Sequence, residues 1–189
     1  METMTTSIIL PFLVFFPFLG AVISYIIGRS NKGARDIWCW ILSAVIFIAS
    51  LMLIGKETVY SLRGFCGLGL SFAADGFGVI LAVLTGAIWL ITTIFSKEYM
   101  AAERNRNRYY FFVFLTLGAT MGIFLSADLF TTFIFFEIMS FTSYVWVAFD
   151  EKKESLRAAE TYLAVAVIGG LAMLMGLFLL YDLTGTLNM

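Results

Sequence analysis

Leu129-Phe-Thr-Thr-Phe-Ile-Phe-Phe-Glu137-Ile-Met-Ser140-Phe-Thr-Ser-Tyr144-Val-Trp-Val-Ala-Phe149 is a run of 21 residues with one charge near its middle. A membrane helix needs about 20 mostly apolar residues. A barrel strand would alternate apolar and polar residues over about ten positions, and this run does not. Five more runs share its character: Ile8–Ile27, Ile37–Ile54, Phe77–Phe95, Tyr109–Leu125 and Ala158–Tyr181. Charged stretches separate most of them, including Arg29 to Asp36, Lys97 to Arg108 and Asp150 to Arg157. Only Ser126-Ala127-Asp128 is tight, which predicts a hairpin turn at the interface with Asp128 capping the following helix. The expected fold class is therefore all-α: a polytopic transmembrane helical bundle of six spans, forming one domain over residues 1–189.

Composition agrees with this reading. Of 189 residues, 61% are hydrophobic and only 13% are charged, and the mean hydropathy is +0.94. A soluble domain is about half apolar and about a quarter charged, so this chain has too little polar surface to face water. It is expected as a multi-pass protein of the inner or cytoplasmic cell membrane, with the lipid bilayer as its first partner. The chain contains no histidine, which removes His-ligated haem, zinc or copper and any His general base or triad. A net charge of −1 supplies no basic field for nucleic acid. Cys39 and Cys66 lie apart, one in an apolar run and one in a loop. No cofactor, no metal and no catalytic chemistry are expected of the chain itself, which disfavours a cofactor-bearing membrane enzyme.

Positive charge sets the predicted orientation. The connections after spans one, three and five hold Arg29, Lys32 and Arg35, then Lys97, Arg104, Arg106 and Arg108, then Lys152, Lys153 and Arg157. These are ten of the twelve basic residues, and only Lys56 and Arg63 lie on the other side. The positive-inside rule then places both termini outside. The first span lacks preceding basic residues, since Met1 to Ser7 carries only Glu2, and reads as a retained helix rather than a leader. Lys56 to Asp75 is the one long outer connection. Its Gly64-Phe-Cys-Gly-Leu-Gly-Leu-Ser71 segment predicts an extended stretch or short hairpin, and it lacks the Lys of a phosphate-binding loop. Gly118-Ala-Thr-Met-Gly122 is a close-packing signal in span four.

All charged residues fit helix ends or connections except Glu137. As the ninth residue of its span, it lies roughly 12 Å below the outer face at about 1.5 Å per residue. A carboxylate there costs about 2.5–3.5 kcal/mol on insertion scales. Glutamate is too short to reach the interface from that depth, so it must face protein or trapped water. At about 100° per residue, Ser140 and Tyr144 share its sector on the inner side, while Phe130, Phe133 and Ile134 occupy that sector on the outer side. Hydroxyls can donate to a carboxylate and hold a file of waters. Ser140 is equally a packing residue and Tyr144 an interface anchor. Burial favours a neutral carboxyl and a nearby cation favours a charged one, so Glu137 could exchange a proton as a cation moves. The competing reading makes it a neutral, hydrogen-bonded anchor in a non-transporting structural or assembly subunit. No Lys or Arg lies inside any span to pair with it, so a buried cation would come from another subunit or from chain beyond Met189. Ending seven residues after Asp182, the chain reads as the N-terminal piece of something larger, or as a subunit that works within a complex.

The stretch Asp128-Leu-Phe-Thr-Thr-Phe-Ile-Phe-Phe-Glu137-Ile-Met-Ser-Phe-Thr-Ser-Tyr144 resembles the fifth-span signature of the antiporter-like proton-translocating subunits. That family includes the large membrane-arm subunits of respiratory complex I (NADH-quinone oxidoreductase) and their counterparts in membrane-bound hydrogenases and multi-subunit sodium/proton antiporters. Ser71-Phe-Ala-Ala-Asp75-Gly76 is similar to the family's Asp-Gly start of span three, with Asp75 at the helix cap. Ser155-Leu-Arg-Ala-Ala-Glu-Thr-Tyr162-Leu is similar to its Ala-rich start of span six. The resemblance covers roughly Ser71 to Tyr181.

The resemblance implies about fourteen spans in the whole subunit, built on two inverted five-helix repeats with broken helices. It implies that Glu137 pairs with a lysine on span seven, with further lysines continuing a hydrated path. The implied activity is translocation of H+, with Na+ as an alternative cargo, in a redox-driven complex or a cation/proton antiporter. Other membrane subunits and a cytoplasmic redox module are the implied partners, and Arg104 to Arg108 is either a docking loop for such subunits or a topology signal. Two positions depart from the pattern: Phe136 stands where the family often has Trp, and Glu160 where it often has Lys. Span seven is absent, so this polypeptide alone is not expected to translocate an ion.

Overall fold

A single residue, Asn31, separates the first two helices. It is extended (φ −144°), and its side chain accepts the N–H groups of Gly33 at 2.9 Å and Ala34 at 3.1 Å. An Asn in this geometry satisfies donors that a helix start leaves free. In the computed structural model, which describes residues 5–62, 64, 69–103 and 105–189, six helices follow one another: α1 (Ile9–Ser30), α2 (Lys32–Leu51), α3 (Gly76–Tyr99), α4 (Arg106–Phe124), α5 (Leu129–Val147) and α6 (Lys153–Thr184). Arg63, Cys66, Arg104 and Met1 to Met4 lie outside the described residues, as does the stretch 65–68 of the Gly-rich segment. The chain is a multi-pass membrane protein of helical fold, with each helix built on one expected run.

The early start of α2 corrects one detail of the sequence reading. Arg29 to Asp36 reads as a charged connection between spans, yet Arg35 and Asp36 lie inside α2 and are buried, at 1% and 4% exposure. The Asn31 cap starts the helix before the apolar run begins. Helix α6 likewise begins at Lys153, ahead of the apolar run that opens at Ala158.

Five of the six helices are long and apolar enough to cross a membrane on their own; α4 falls short. Arg106 and Arg108 sit in its first turn. This helix is the enclosed one: Tyr110, Phe114, Leu117 and Met121 have no exposed surface, and α1 and α5 pack along it. A helix surrounded by protein needs no uniformly apolar, lipid-facing band. Gly118 and Gly122 sit on α4 one turn apart but serve different neighbours. A Cβ at Gly118 would stand 2.6 Å from the Phe18 ring of α1, and one at Gly122 would collide with the Phe135 ring of α5. Gly122 is thus a socket for an aromatic ring, and Gly118 admits both the Phe18 ring and the α1 backbone, since a Cβ there would also stand 2.9 Å from the Val14 carbonyl oxygen.

The connection between α2 and α3 forms more structure than a hairpin. Strands β2 (Thr58–Leu62) and β3 (Leu70–Ala74) pair antiparallel, and β1 (Thr5–Thr6) adds to β2 in parallel. Phe72 of β3 is fully buried, with its ring centroid 6.2 Å from Phe15 and 5.7 Å from Phe135. The backbone of β3 then grips the α4–α5 junction. Ala73 N–H donates to the Leu125 carbonyl at 2.8 Å, and Ala127 N–H donates to the Ser71 carbonyl at 2.8 Å. On the other side, Leu129 N–H donates to the Leu187 carbonyl at 2.9 Å. Residues expected as a simple interfacial turn are therefore an extended strap held between two backbone segments. The strap fixes where α5 begins.

Candidate functional site

Asp128 sets the start of α5. Its carboxylate accepts the Thr131 N–H and the Thr131 hydroxyl, both at 2.7 Å, and the residue is 7% exposed. Thr131 Oγ1 also accepts the Ser71 N–H at 2.9 Å, tying the cap to β3. Asp75 plays the simpler role at α3, accepting the Gly78 N–H at 2.9 Å from an exposed position. With the origin of α5 fixed, the sector holding Phe133, Ile134 and Glu137 turns toward α6. Phe133 packs with Leu177, flanked by Ile134, Met173 and Leu174.

Glu137 meets α6 at Gly170. A Cβ built there would stand 2.7 Å from both Cδ and Oε2 of Glu137, so the carboxylate fills the space left by the missing side chain. Gly170 is one of only three residues of α6 that are buried, with Ala159 and Leu177. Glu137 is half-buried, and its Oε1 is shielded from solvent with no hydrogen-bond partner. Among the described residues it makes no ion pair. The carboxylate thus points into a helix interface rather than out to lipid, and one oxygen waits for a donor.

Ser140 is buried one turn further along α5, and Tyr144 is half-buried a turn beyond it. Both lie on the Glu137 side of α5, but neither donates to the carboxylate in this structure. A different hydroxyl contact joins the helices: Thr116 of α4 donates to Thr142 of α5 at 3.1 Å, with both residues largely buried. Sequence reasoning missed Gly170, although adjacent glycines in an apolar run, Gly169-Gly170, are themselves a signal of close approach.

It also missed a buried charged cluster at the end of the bundle away from the sheet. Asp36 accepts from Arg35 at 2.8 Å and from Arg106 at 2.9 Å. Arg35 further donates to Asn107, and Arg106 to the Lys97 carbonyl at 2.8 Å. Both guanidinium groups lie over Tyr110, at 4.8 and 5.8 Å from its ring centroid. Gly28 of α1 makes room for them, since a Cβ there would stand 2.8 Å from Arg35 Cδ and Asn107 Cγ. Ions this deep are tolerated only when paired and hydrogen-bonded. The adjacency of Arg35 and Asp36 was visible in the sequence; their burial was not.

With this geometry in hand, similarity to known proteins is informative. Residues 126–189, from the strap through Glu137 and Gly170 to the end of the chain, match the family model described as NADH:quinone oxidoreductase/Mrp antiporter, TM. Proteins named "Putative antiporter subunit mnhD2" in Staphylococcus aureus strains JH9 and Newman are 31% identical over 98% of this chain. The chain spans 38% of the length of these relatives. A chain in the structure of the membrane-bound sulfane sulfur reductase, an archaeal respiratory membrane complex, superposes with a TM-score of 0.86 at 21% identity, over 96% of this chain and 39% of its own length. One from the Mrp complex of Dietzia sp. DQ12-45-1b superposes with a TM-score of 0.84 at 20% identity, over 95% of this chain and 20% of its own length. These two likenesses are likenesses of fold.

Proposed function

We propose that this chain, which is similar in sequence and fold to antiporter-like membrane subunits, contributes a proton half-channel to an ion-translocating assembly. That assembly is a multi-subunit cation/proton antiporter or a complex I-like respiratory complex, with H+ as the cargo and Na+ as the alternative. The observation that carries the reading is Glu137: a carboxyl two turns into α5, turned to α6 by a glycine and left with an unpartnered oxygen.

In this reading Glu137 holds a proton while no cation is near and releases it when an ammonium approaches, because a nearby positive charge stabilises the carboxylate. The ammonium belongs to a lysine supplied by polypeptide downstream of Met189 or by a contacting subunit. Ser140 and Tyr144 line the inner approach and support a file of waters. The six helices form the N-terminal portion of a larger subunit, with both termini of this portion outside. Other membrane subunits pack on the apolar surface of α6, where Val165, Ile168, Leu171 and Met175 are exposed. Energy comes from a redox module or from an ion gradient. A purely structural Glu137 would be expected to hydrogen-bond a neighbouring helix, and its Oε1 does not.

The test is Glu137→Gln in the intact complex, assayed in inverted membrane vesicles by quenching of a pH-gradient dye. Glutamine keeps the shape and loses the exchangeable proton. Transport should collapse while the subunit still assembles at its normal level. Undiminished transport would overturn the proposal in favour of a scaffold.

A further inference from the structure

We propose that the end of the bundle away from the sheet holds a binding pocket for a phosphate anion, that of a lipid headgroup or free phosphate. A cavity of about 340 Å³ opens between the end of α1 and the starts of α2 and α4. Lys32, Arg35, Arg106 and Arg108 line it with positive charge, Tyr25 forms an aromatic edge, and Glu103 is the one carboxylate on its wall.

The charges do not balance. Arg35 and Arg106 share one partner, Asp36. Arg108 pairs with Glu151 at 2.5 Å. Lys32 is exposed and has no ion pair among the described residues. Four cations therefore meet three carboxylates even when Asp36, Glu103 and Glu151 are all counted. An anion supplies the negative charge this set lacks, and guanidinium forks match phosphate oxygens in particular.

Position makes a lipid the natural source. The pocket lies where the helices end, at headgroup depth. Just above it on α1, Val22 and Ile26 are exposed, and Tyr25 packs edge-on to Phe111 at 5.8 Å. A headgroup in the pocket would lay its acyl chains along this apolar strip.

The experiment uses the full chain in phosphatidylcholine nanodiscs and reads the thermal unfolding midpoint. One arm adds phosphatidylglycerol at constant ionic strength, and the other replaces sodium chloride by sodium phosphate. Phosphatidylglycerol should raise the midpoint by about 2–4 °C, the scale of modest ligand binding to a chain of this size. Lys32→Ala should remove at least half of the rise, and Lys32→Arg should keep it. Lys153→Ala removes the same charge from the same end of the bundle outside the pocket, and should leave the rise intact. A rise with sodium phosphate that Lys32→Ala removes and Lys153→Ala keeps also supports the site and assigns it to free phosphate, whereas a rise that survives Lys32→Ala is general salt stabilisation and counts against it. No rise in either arm, or equal losses from Lys32→Ala and Lys153→Ala, would overturn the proposal; the second result would mean diffuse surface charge. Neither readout depends on transport.

Discussion

The Glu137 carboxylate occupies the volume that a side chain at position 170 would need. The acid of α5 and the glycine of α6 are therefore one feature, and each accounts for the other. Gly170→Ala should push the carboxylate out of the helix interface. Overpacking of this kind costs about 1–3 kcal/mol. In a Glu137→Ala background the space is free, so the same glycine change should cost under about 0.5 kcal/mol, the usual limit for a substitution that disturbs nothing. Thermal unfolding of the four proteins completes the double-mutant cycle. Equal penalties in both backgrounds would show that the carboxylate does not lie against Gly170.

Asp36 is the single acid between the buried guanidinium of Arg35 and the half-buried one of Arg106. Asp36→Ala should be among the most damaging substitutions in the chain, because it strands Arg35, which is only 1% exposed. Removing one partner from a buried pair costs about 3–5 kcal/mol. Arg106→Ala should cost clearly less, since the Arg35–Asp36 pair survives and Arg106 is the most exposed of the three. Denaturant titration in detergent would rank them, and a milder effect for Asp36→Ala than for Arg106→Ala would contradict this account.

The two helix caps should also separate. Asp128→Ala loses two buried hydrogen bonds beneath β3 and disturbs the origin of α5, whereas Asp75→Ala loses one part-buried bond. Cap removal costs about 0.5–2 kcal/mol, so Asp128 should lie at the upper end and Asp75 at the lower. Asp128→Asn, which keeps an acceptor for the Thr131 N–H, should recover part of the loss. Melting midpoints of the three variants give the ordering.

How far the sequence leads depends on the kind of residue. Glu137 was legible because a lone acid in an apolar run is expensive, and its sector could be worked out from helix geometry alone. The cap role of Asp128 could be read from residue type and place. Gly170 was harder, because a glycine in an apolar run announces close packing without naming what will approach it. The burial of Arg35 and Asp36 is not visible in their local sequence, because it depends on α4 delivering Arg106 and Asn107 from about 70 residues away. The third strand was hidden for a similar reason: Thr5 and Thr6 have no strand signal of their own and become β1 only by pairing with β2.

Gly118 and Gly122 illustrate the same limit and yield a final test. Their spacing signals close packing, and the structure divides it between two neighbours: Gly118 meets Phe18 and the Val14 carbonyl of α1, and Gly122 meets the Phe135 ring of α5. Because Phe135 also contacts Phe72 of β3, the Gly122 socket joins α4, α5 and the sheet in one aromatic cluster. Gly122→Ala should therefore destabilise by about 1–3 kcal/mol, as an added methyl in a packed core does. Removing the ring and its Cγ with Phe135→Ala should relieve that clash, making the double variant more stable than the sum of its parts. Phe135→Ala should give no such relief to Gly118→Ala, whose clash is with α1. If it rescued both glycine variants equally, the two sockets would not be separate, and α4 would be packing along a single seam.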